Sequence, residues 1–278
     1  MDLNWLHSIV YGFVSGLADI LPVSAQAHRV LLLKFFGAKG EMDLLNLLVH
    51  LAVFAALYYS SQAQLVRMNR ARALARVPKR KRKRPLDTRS LMDWSLLKTM
   101  ILPAILGVYL YQYTITWQKN LMVLALFLFL NGLIVYSPQF LPSSNKDSRT
   151  LSRVEGLLMG LGGTVSALPG ISALGTAVSV GSVCGVERGF CLTMALMMNM
   201  VLAAGMVVYD VMGILDRGFG TLSVMILLRY LVTALAAFGG TMLGIRILRH
   251  FAQEKGYGAF GVYCWGLALF TFILNLMA

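Results

Sequence analysis

The chain has 278 residues, of which 58% are hydrophobic and only 13% are charged, and its formal net charge is +13. Soluble domains carry about 25% charged residues, so this composition excludes an ordinary soluble protein and predicts a polytopic membrane protein. The first residues contain no basic segment, and no small-residue cleavage site follows a short apolar core. We therefore expect no cleavable signal peptide.

The first two apolar stretches of the chain, residues 5–21 and 30–37, flank a polar break that contains Pro22. Neither stretch reaches the ~20 residues that a membrane-spanning helix needs. They therefore predict a re-entrant helix hairpin over residues 5–37. The spans predicted after this hairpin are residues 42–60, 94–112 and 118–136.

A strongly basic loop is predicted between the first two of these spans, over residues 61–93. Eleven of the 25 lysines and arginines lie between Arg67 and Arg89. Such a run can bind nucleic acid, but in a membrane protein the positive-inside rule and contact with anionic lipid explain it more simply. We therefore expect this loop in the cytoplasm and no nucleic-acid partner.

The second half of the chain repeats the pattern of the first after a polar linker, residues 137–153. A second break at Pro169 lies 147 residues after Pro22 (169 − 22) and predicts a re-entrant hairpin over residues 154–188. The spans predicted after it are residues 190–210, 221–247 and 258–277. Repeated halves with broken helices are typical of proteins that bind a ligand where the halves meet.

The predicted fold class is an all-α polytopic membrane protein built as an inverted-topology repeat. Each half, residues 1–136 and 154–278, has a re-entrant hairpin and three transmembrane helices, and an odd number of spans inverts the second half. With the basic loop and the linker in the cytoplasm, both termini lie outside. The two breaks are then expected to approach each other from opposite faces of the membrane.

Three ionisable residues, Asp19, His28 and Arg29, lie at or just after the first break. A charge at mid-depth in the bilayer costs roughly 3 kcal/mol or more, so we expect these groups to face a cavity enclosed by protein. Asp19 could instead cap the free backbone amides of the break. Arg29 could bind a phosphate, or it could extend its charged end to the outer headgroups.

Other polar residues have similar alternatives. Asp43, Asn46 and His50 share one helix face, where they either line the same cavity or form a hydrogen bond between helices. Ser24 and Ser172 either satisfy the backbone in their turns or contact phosphate.

The two breaks match the motifs of a known family. The first reads Gly12-x-x-Ser15-Gly16-x-x-Asp19-x-x-Pro22-x-Ser24-Ala25-x-Ala27-His28, and the second reads Pro169-Gly170-x-Ser172-Ala173-Leu174-Gly175. They resemble the motifs Gly-x-x-Glu-Gly-x-x-Glu-x-x-Pro-x-Ser-Ser-x-Gly-His and Pro-Gly-x-Ser-Arg-Ser-Gly of the undecaprenyl-diphosphate phosphatases of the bacitracin-resistance type. The similarity covers nearly the whole chain.

This resemblance implies an inverted repeat with two re-entrant hairpins in the bacterial plasma membrane. It also implies removal of one phosphate from the diphosphate of a C55 polyprenyl carrier on the outer face. A divalent cation is an implied cofactor without assigned ligands, and a homodimer is compatible with the family. We expect catalytic roles for His28 and Asp19. The expected substrate-binding residues are Ser15, Ser24, Gln26, Arg29, His50, Gly170 and Ser172.

The chain departs from the family motifs at three reacting groups. Ser15 replaces the first glutamate, Ala25 replaces the candidate catalytic serine, and Ala173 replaces the arginine. These changes remove a carboxylate, a nucleophile and a bidentate phosphate clamp.

Two interpretations of the family site therefore stay open. In one, a reduced site hydrolyses the lipid diphosphate with His28 as base or nucleophile and Arg29 as clamp. In the other, the protein binds or translocates the polyprenyl phosphate without catalysis. A small-solute or ion transporter on the same scaffold is a further alternative, and it would need a water-filled path lined by Asp43, His50 and Asn199.

Overall fold

The computed structural model describes residues 3–38, 43–142, 145–218, 223–254 and 256–277. Most of these residues are helical, and an isolated bridge between Lys146 and Val186 is their only extended pairing. The α-helices, numbered in chain order, are α1 Trp5–Ile20, α2 Ala25–Phe35, α3 Asp43–Ala75, α4 Thr88–Thr114, α5 Leu121–Tyr136, α6 Arg153–Thr164, α7 Ala173–Val183, α8 Arg188–Arg217, α9 Val224–Glu254 and α10 Gly258–Met277.

Six helices in the described part of the chain, α3, α4, α5, α8, α9 and α10, are long and apolar enough to cross a membrane. This confirms the predicted all-α polytopic membrane protein. Residues 143–144 of the predicted linker and residues 221–222 of a predicted span lie outside the described residues.

The two predicted hairpins correspond to the helix pairs α1–α2 and α6–α7. Ser24 begins α2 and accepts a hydrogen bond from the backbone N–H of Ala27, and Ser172 begins α7 and accepts one from Gly175 (3.2 Å). Both serines thus satisfy backbone donors at a helix start. The entry of these pairs into the membrane from opposite faces stays a prediction.

The two breaks meet at Asn131, a fully buried residue of α5. Its side-chain amide donates to the carbonyl of Pro22 (3.0 Å), and its side-chain oxygen accepts from the backbone N–H of Ser172 (2.9 Å). The Ser172 hydroxyl also reaches the carbonyl of Leu21 (3.4 Å). The two halves of the chain therefore contact each other at the positions where their helices are interrupted.

Glycines of α1 and α6 allow close helix crossings on both sides of this junction. A Cβ added at Gly16 would lie 2.0 Å from the carbonyl oxygen of Ala237 in α9. A Cβ added at Gly160 would lie 2.3 Å from the carbonyl oxygen of Met100 in α4. Only glycine fits at these positions, as is common where membrane helices pack backbone against backbone.

The most extensive helix contacts are α1 with α9, α4 with α6, α3 with α8, and α5 with α10. If α1–α5 are exchanged in order with α6–α10, the contact of α1 with α9 becomes the contact of α6 with α4. The contacts of α3 with α8 and of α5 with α10 stay the same. This pairing is what a repeat related by two-fold symmetry predicts. The repeat and its boundaries stay a prediction.

The basic segment differs from the predicted loop over residues 61–93. Helix α3 continues to Ala75 and α4 begins at Thr88, so only residues 76–87 connect them. Residues 61–75 are rich in alanine, glutamine, arginine and other good helix formers, and Met68 and Ala71 are buried. Hydropathy marks where apolar residues end, whereas this helix extends beyond them.

Candidate functional site

Two adjoining cavities lie within the helix bundle. The inner one, about 100 Å³, is bounded by both helix breaks. The outer one, about 570 Å³, is lined at the start of α3, by residues 115–119 and at the end of α8. The residues common to both linings are Gln26, Arg29, His50 and Tyr111. Because the cavities share these residues, a ligand entering at one end of the bundle would reach the breaks past Arg29 and His50.

A chain of charged and polar contacts crosses this junction. Arg29 forms an ion pair with Asp19, and its Nη1 donates to His50 Nε2 (2.7 Å). His50 Nδ1 lies 2.6 Å from the Asp210 carboxylate. These residues come from α1, α2, α3 and α8, and the side chains of His50 and Asp210 are almost completely buried. The site is therefore assembled from both halves of the chain.

The guanidinium of Arg29 is the cation best placed to bind an anion. Its side chain is 13% exposed, lines both cavities and carries a buried Nε–H with no hydrogen-bond partner among the described residues. A buried donor without a partner costs about 1–3 kcal/mol, which an anionic oxygen in the cavity would recover. Arg29 therefore faces the two cavities, and its binding of a phosphate stays a prediction.

The structure brings together five of the residues expected at the site. Arg29, His50 and Gln26 line both cavities, and Asp19 and Ser172 line the inner one. The Gln26 amide also donates to the carbonyl of Ser166 in the second half (3.4 Å). Asp19 thus faces the cavity, as the first of its two alternatives requires.

Four of the expected site residues, Ser15, Ser24, His28 and Gly170, line neither cavity. The Nδ1–H of His28 donates to the carbonyl of Ser24 (2.7 Å), and its Nε2 accepts from the Tyr263 hydroxyl of α10 (2.8 Å). This placement differs from the catalytic role expected for His28. Among the described residues, His50 is the histidine that faces both cavities.

Comparison with known proteins agrees with the motifs and the helix content. The family described as bacitracin resistance protein BacA matches residues 8–270. The chain belongs to this family.

Several curated relatives resemble the chain over almost its whole length. An undecaprenyl-diphosphatase from Methanobrevibacter smithii is 28% identical over 278 residues, which is 98% of each chain. Undecaprenyl-diphosphatase 1 of Shouchella clausii is 24% identical and covers 98% of this chain and 97% of its own. The undecaprenyl-diphosphatase of Thermosipho melanesiensis is 25% identical and covers 96% of this chain and 98% of its own.

Two of the departures expected from the family motifs fall on the surface of the inner cavity. Ala25 and Ala173 both line it. They present methyl groups to this cavity, and the loss of a serine hydroxyl and an arginine guanidinium at these positions stays a prediction from the motifs.

A divalent cation, which the BacA resemblance implied, does not fit the residues present. No group of three His, Cys, Asp or Glu side chains in the described part of the chain could hold a metal ion. The carboxylate of Asp19 is paired with Arg29, and that of Asp210 contacts His50. Hard divalent cations need several free oxygen ligands, which these two paired carboxylates do not supply.

Sequence reasoning missed two residues that organise this site. Asp210 is an acidic residue at the end of a predicted span, and Asn131 is the only amide in α5. Ionisable and strongly polar residues within membrane segments are functional candidates, so both carried a signal. Tyr111 also lines both cavities, but nothing in the sequence marked it as a candidate.

Proposed function

We propose that this protein is an integral-membrane hydrolase that binds the diphosphate headgroup of a polyprenyl lipid carrier and releases one phosphate. The observation that supports this most directly is the buried guanidinium of Arg29 at the junction of the two cavities. Membership of the BacA family and the names of the curated relatives, undecaprenyl-diphosphatases, point to the same substrate class.

The charges of the site suit this substrate. A diphosphate carries about two to three negative charges, and its hydrolysis depends on positioning and charge stabilisation. The planar fork of an arginine matches two phosphate oxygens at once. Lys119 lines the outer cavity and adds positive charge along the route to Arg29, whereas Arg217, which also lines it, is paired with Asp43 (2.7 Å).

The proposal is tested by measuring phosphate release from C55 diphosphate by the purified protein in detergent. We expect turnover by the wild type. Arg29→Gln should lower kcat/KM by about 100- to 1000-fold, because it removes the cation that stabilises the developing charge. Arg29→Lys should fall between the two, since lysine keeps the charge but loses the bidentate geometry.

The matched control is Arg80→Gln, which removes an exposed cation from the basic segment. It should leave phosphate release unchanged. A wild type that binds the lipid without releasing phosphate would rule out the hydrolase, and Arg29→Gln with wild-type kcat/KM would rule out Arg29 as the headgroup clamp.

Non-catalytic binding or translocation of the polyprenyl phosphate is the second candidate. The methyl groups of Ala25 and Ala173 in the inner cavity favour it. It predicts tight binding of C55 phosphate or diphosphate with no turnover. The two candidates are therefore distinguished by the same assay when lipid binding is measured in parallel.

The three residues that the transporter alternative requires line the cavities. Asp43 and His50 line the outer cavity, and His50 and Asn199 line the inner one. The transporter alternative predicts flux of a solute or of protons across the membrane of proteoliposomes that contain no polyprenyl lipid. The hydrolase predicts no such flux.

A further inference from the structure

We infer that His50 and Asp210 form the general-base dyad of this site, in which His50 Nε2 accepts a proton from the attacking water. Asp210 orients the imidazole and stabilises its protonated form. This inference rests on the proposed hydrolase function and names residues that supply the chemistry that Ala25 and His28 do not.

The neighbours of His50 determine which ring nitrogen carries the proton. Arg29 Nη1, 2.7 Å away, can only donate a hydrogen bond, so His50 Nε2 must accept it. Nδ1 therefore carries the proton and donates to Asp210 Oδ2 at 2.6 Å. A neutral imidazole, with one nitrogen fixed by a carboxylate and the other free to accept a proton, has the arrangement that a general base requires.

The position of the lone pair matches the position of the proposed substrate. His50 Nε2 points at the guanidinium that would hold the phosphate, where the two cavities meet. When phosphate oxygens accept the N–H groups of Arg29, the lone pair of Nε2 is released to a water molecule. The clamp and the base then act on the same phosphoryl group.

The proposed step is a hydrolysis that needs no other reactant. The water gives one proton to His50 Nε2, and its oxygen forms a bond to the terminal phosphorus. The bond from that phosphorus to the bridging oxygen breaks, and the electron pair leaves with the polyprenyl monophosphate. A phosphate leaving group requires no added proton at neutral pH, so one base is sufficient, and the imidazolium then returns its proton to solvent.

The charged and titratable groups near His50 come from several elements. No α9 residue in the described chain lines either cavity. The ionisable side chains that line the two cavities from the other elements are Tyr11 and Asp19 of α1, Arg29 of α2, Tyr111 of α4, Lys119 of residues 115–119, and Tyr209, Asp210 and Arg217 of α8.

The first test compares His50→Asn and Asp210→Asn with the wild type, using phosphate release from C55 diphosphate between pH 5 and 9, roughly the range in which histidine titrates. His50→Asn should lower kcat by about 100- to 10,000-fold and remove the acid limb of the kcat/KM profile. Asp210→Asn should lower kcat less than His50→Asn does and should change the pH profile, because the imidazole loses the carboxylate that orients it.

The matched controls are His250→Asn and Asp216→Asn, which change exposed residues outside both cavities. They should keep the wild-type kcat and pH profile. A second variant, His50→Gly, separates chemistry from folding, because added imidazole should restore part of its activity.

The outcomes separate this inference from the function on which it rests. If the wild type shows no turnover, both the proposed function and the dyad are ruled out. If the wild type hydrolyses the lipid and His50→Asn keeps the wild-type kcat, only the dyad is ruled out. Loss of activity in His50→Gly without imidazole rescue, or in Asp210→Asn with an unchanged pH profile, would show that these residues have a structural role and would overturn the inference.

Discussion

At the scale of single residues, Asn131 connects the two helix breaks. Its amide group satisfies the carbonyl of Pro22 and the backbone N–H of Ser172, groups that have no partner within their own helices. Free backbone groups inside a membrane need such partners because no bulk water is available. One side chain therefore holds the two halves in register at the inner cavity.

Asn131→Leu keeps the branched shape of this side chain and removes both hydrogen bonds. We expect it to destabilise the protein, since each buried group left unpaired costs about 1–3 kcal/mol. Thermal unfolding in detergent measures the effect. Gln112→Leu, at an exposed amide of α4, is the control and should melt like the wild type. Equal melting temperatures for the two variants would contradict the bridging role.

Helix geometry can predict the direction of a side chain only where the helix is regular. His50, for which the sequence left two alternatives, lies in a helix that is regular from Asp43 onward, and it lines both cavities. His28 lies four residues after Ser24, whose φ of 65° is in the left-handed region. Since periodicity does not continue through such a break, the direction of α2 and of His28 could not be predicted.

At the scale of helices, the paired glycine crossings explain why both halves begin with a Gly-x-x-x-Gly motif. Gly16 and Gly160 approach backbone carbonyls of α9 and α4 at equivalent places in the two halves. The sequence showed the repeated motif. It could not identify the partner helices, because a surface of small residues fits many neighbours.

Gly16→Ala should destabilise the protein, because its Cβ would lie 2.0 Å from the Ala237 carbonyl oxygen and force α1 away from α9. Gly239→Ala, in α9, is the matched control because a Cβ there meets no atom within 4 Å. That control should be neutral or stabilising by about 0.5–1 kcal/mol, since alanine favours helix. Thermal unfolding should separate the two, and equal melting temperatures would argue against the crossing.

The start of α6 is fixed by local hydrogen bonds that hydropathy does not detect. Ser152 and Glu155 form a capping box at the start of α6, and Lys146 donates to the Glu155 carboxylate at 2.7 Å. The hydrogen bond from Lys146, assisted by the backbone of Ser152, lowers the pKa of Glu155 to about 2. The serine–glutamate spacing at the start of an apolar run is a signal that sequence reasoning could have used.

At the scale of the whole molecule, three chain segments that line the outer cavity share one predicted side of the membrane. The start of α3, residues 115–119 and the end of α8 all line this cavity, and the charge distribution of the loops predicts that all three lie outside. The helix breaks were predictable because prolines and charges interrupt the apolar runs, and the inverted repeat stays a prediction. The cavity itself was not, since its shape depends on contacts between distant helices.

This orientation predicts which positions react with a membrane-impermeant maleimide on intact cells. In a background with Cys184, Cys191 and Cys264 replaced by alanine, Gln118→Cys should be labelled from outside. Arg80→Cys should be labelled only after the cells are broken, because lysine- and arginine-rich segments stay in the cytoplasm. The reverse pattern would invert the assigned topology and place the outer cavity on the cytoplasmic side.

The ion pair between Asp19 and Arg29 has a consequence for selectivity between anions. Asp19 competes with any incoming anion for the guanidinium, and in a medium of low dielectric an anion with more charge gains more from displacing the carboxylate. On the proposed function, a lipid diphosphate therefore gains more from displacing Asp19 than a lipid monophosphate does. We expect the resident carboxylate to make the site discriminate against the monophosphate, so that product inhibition stays weak.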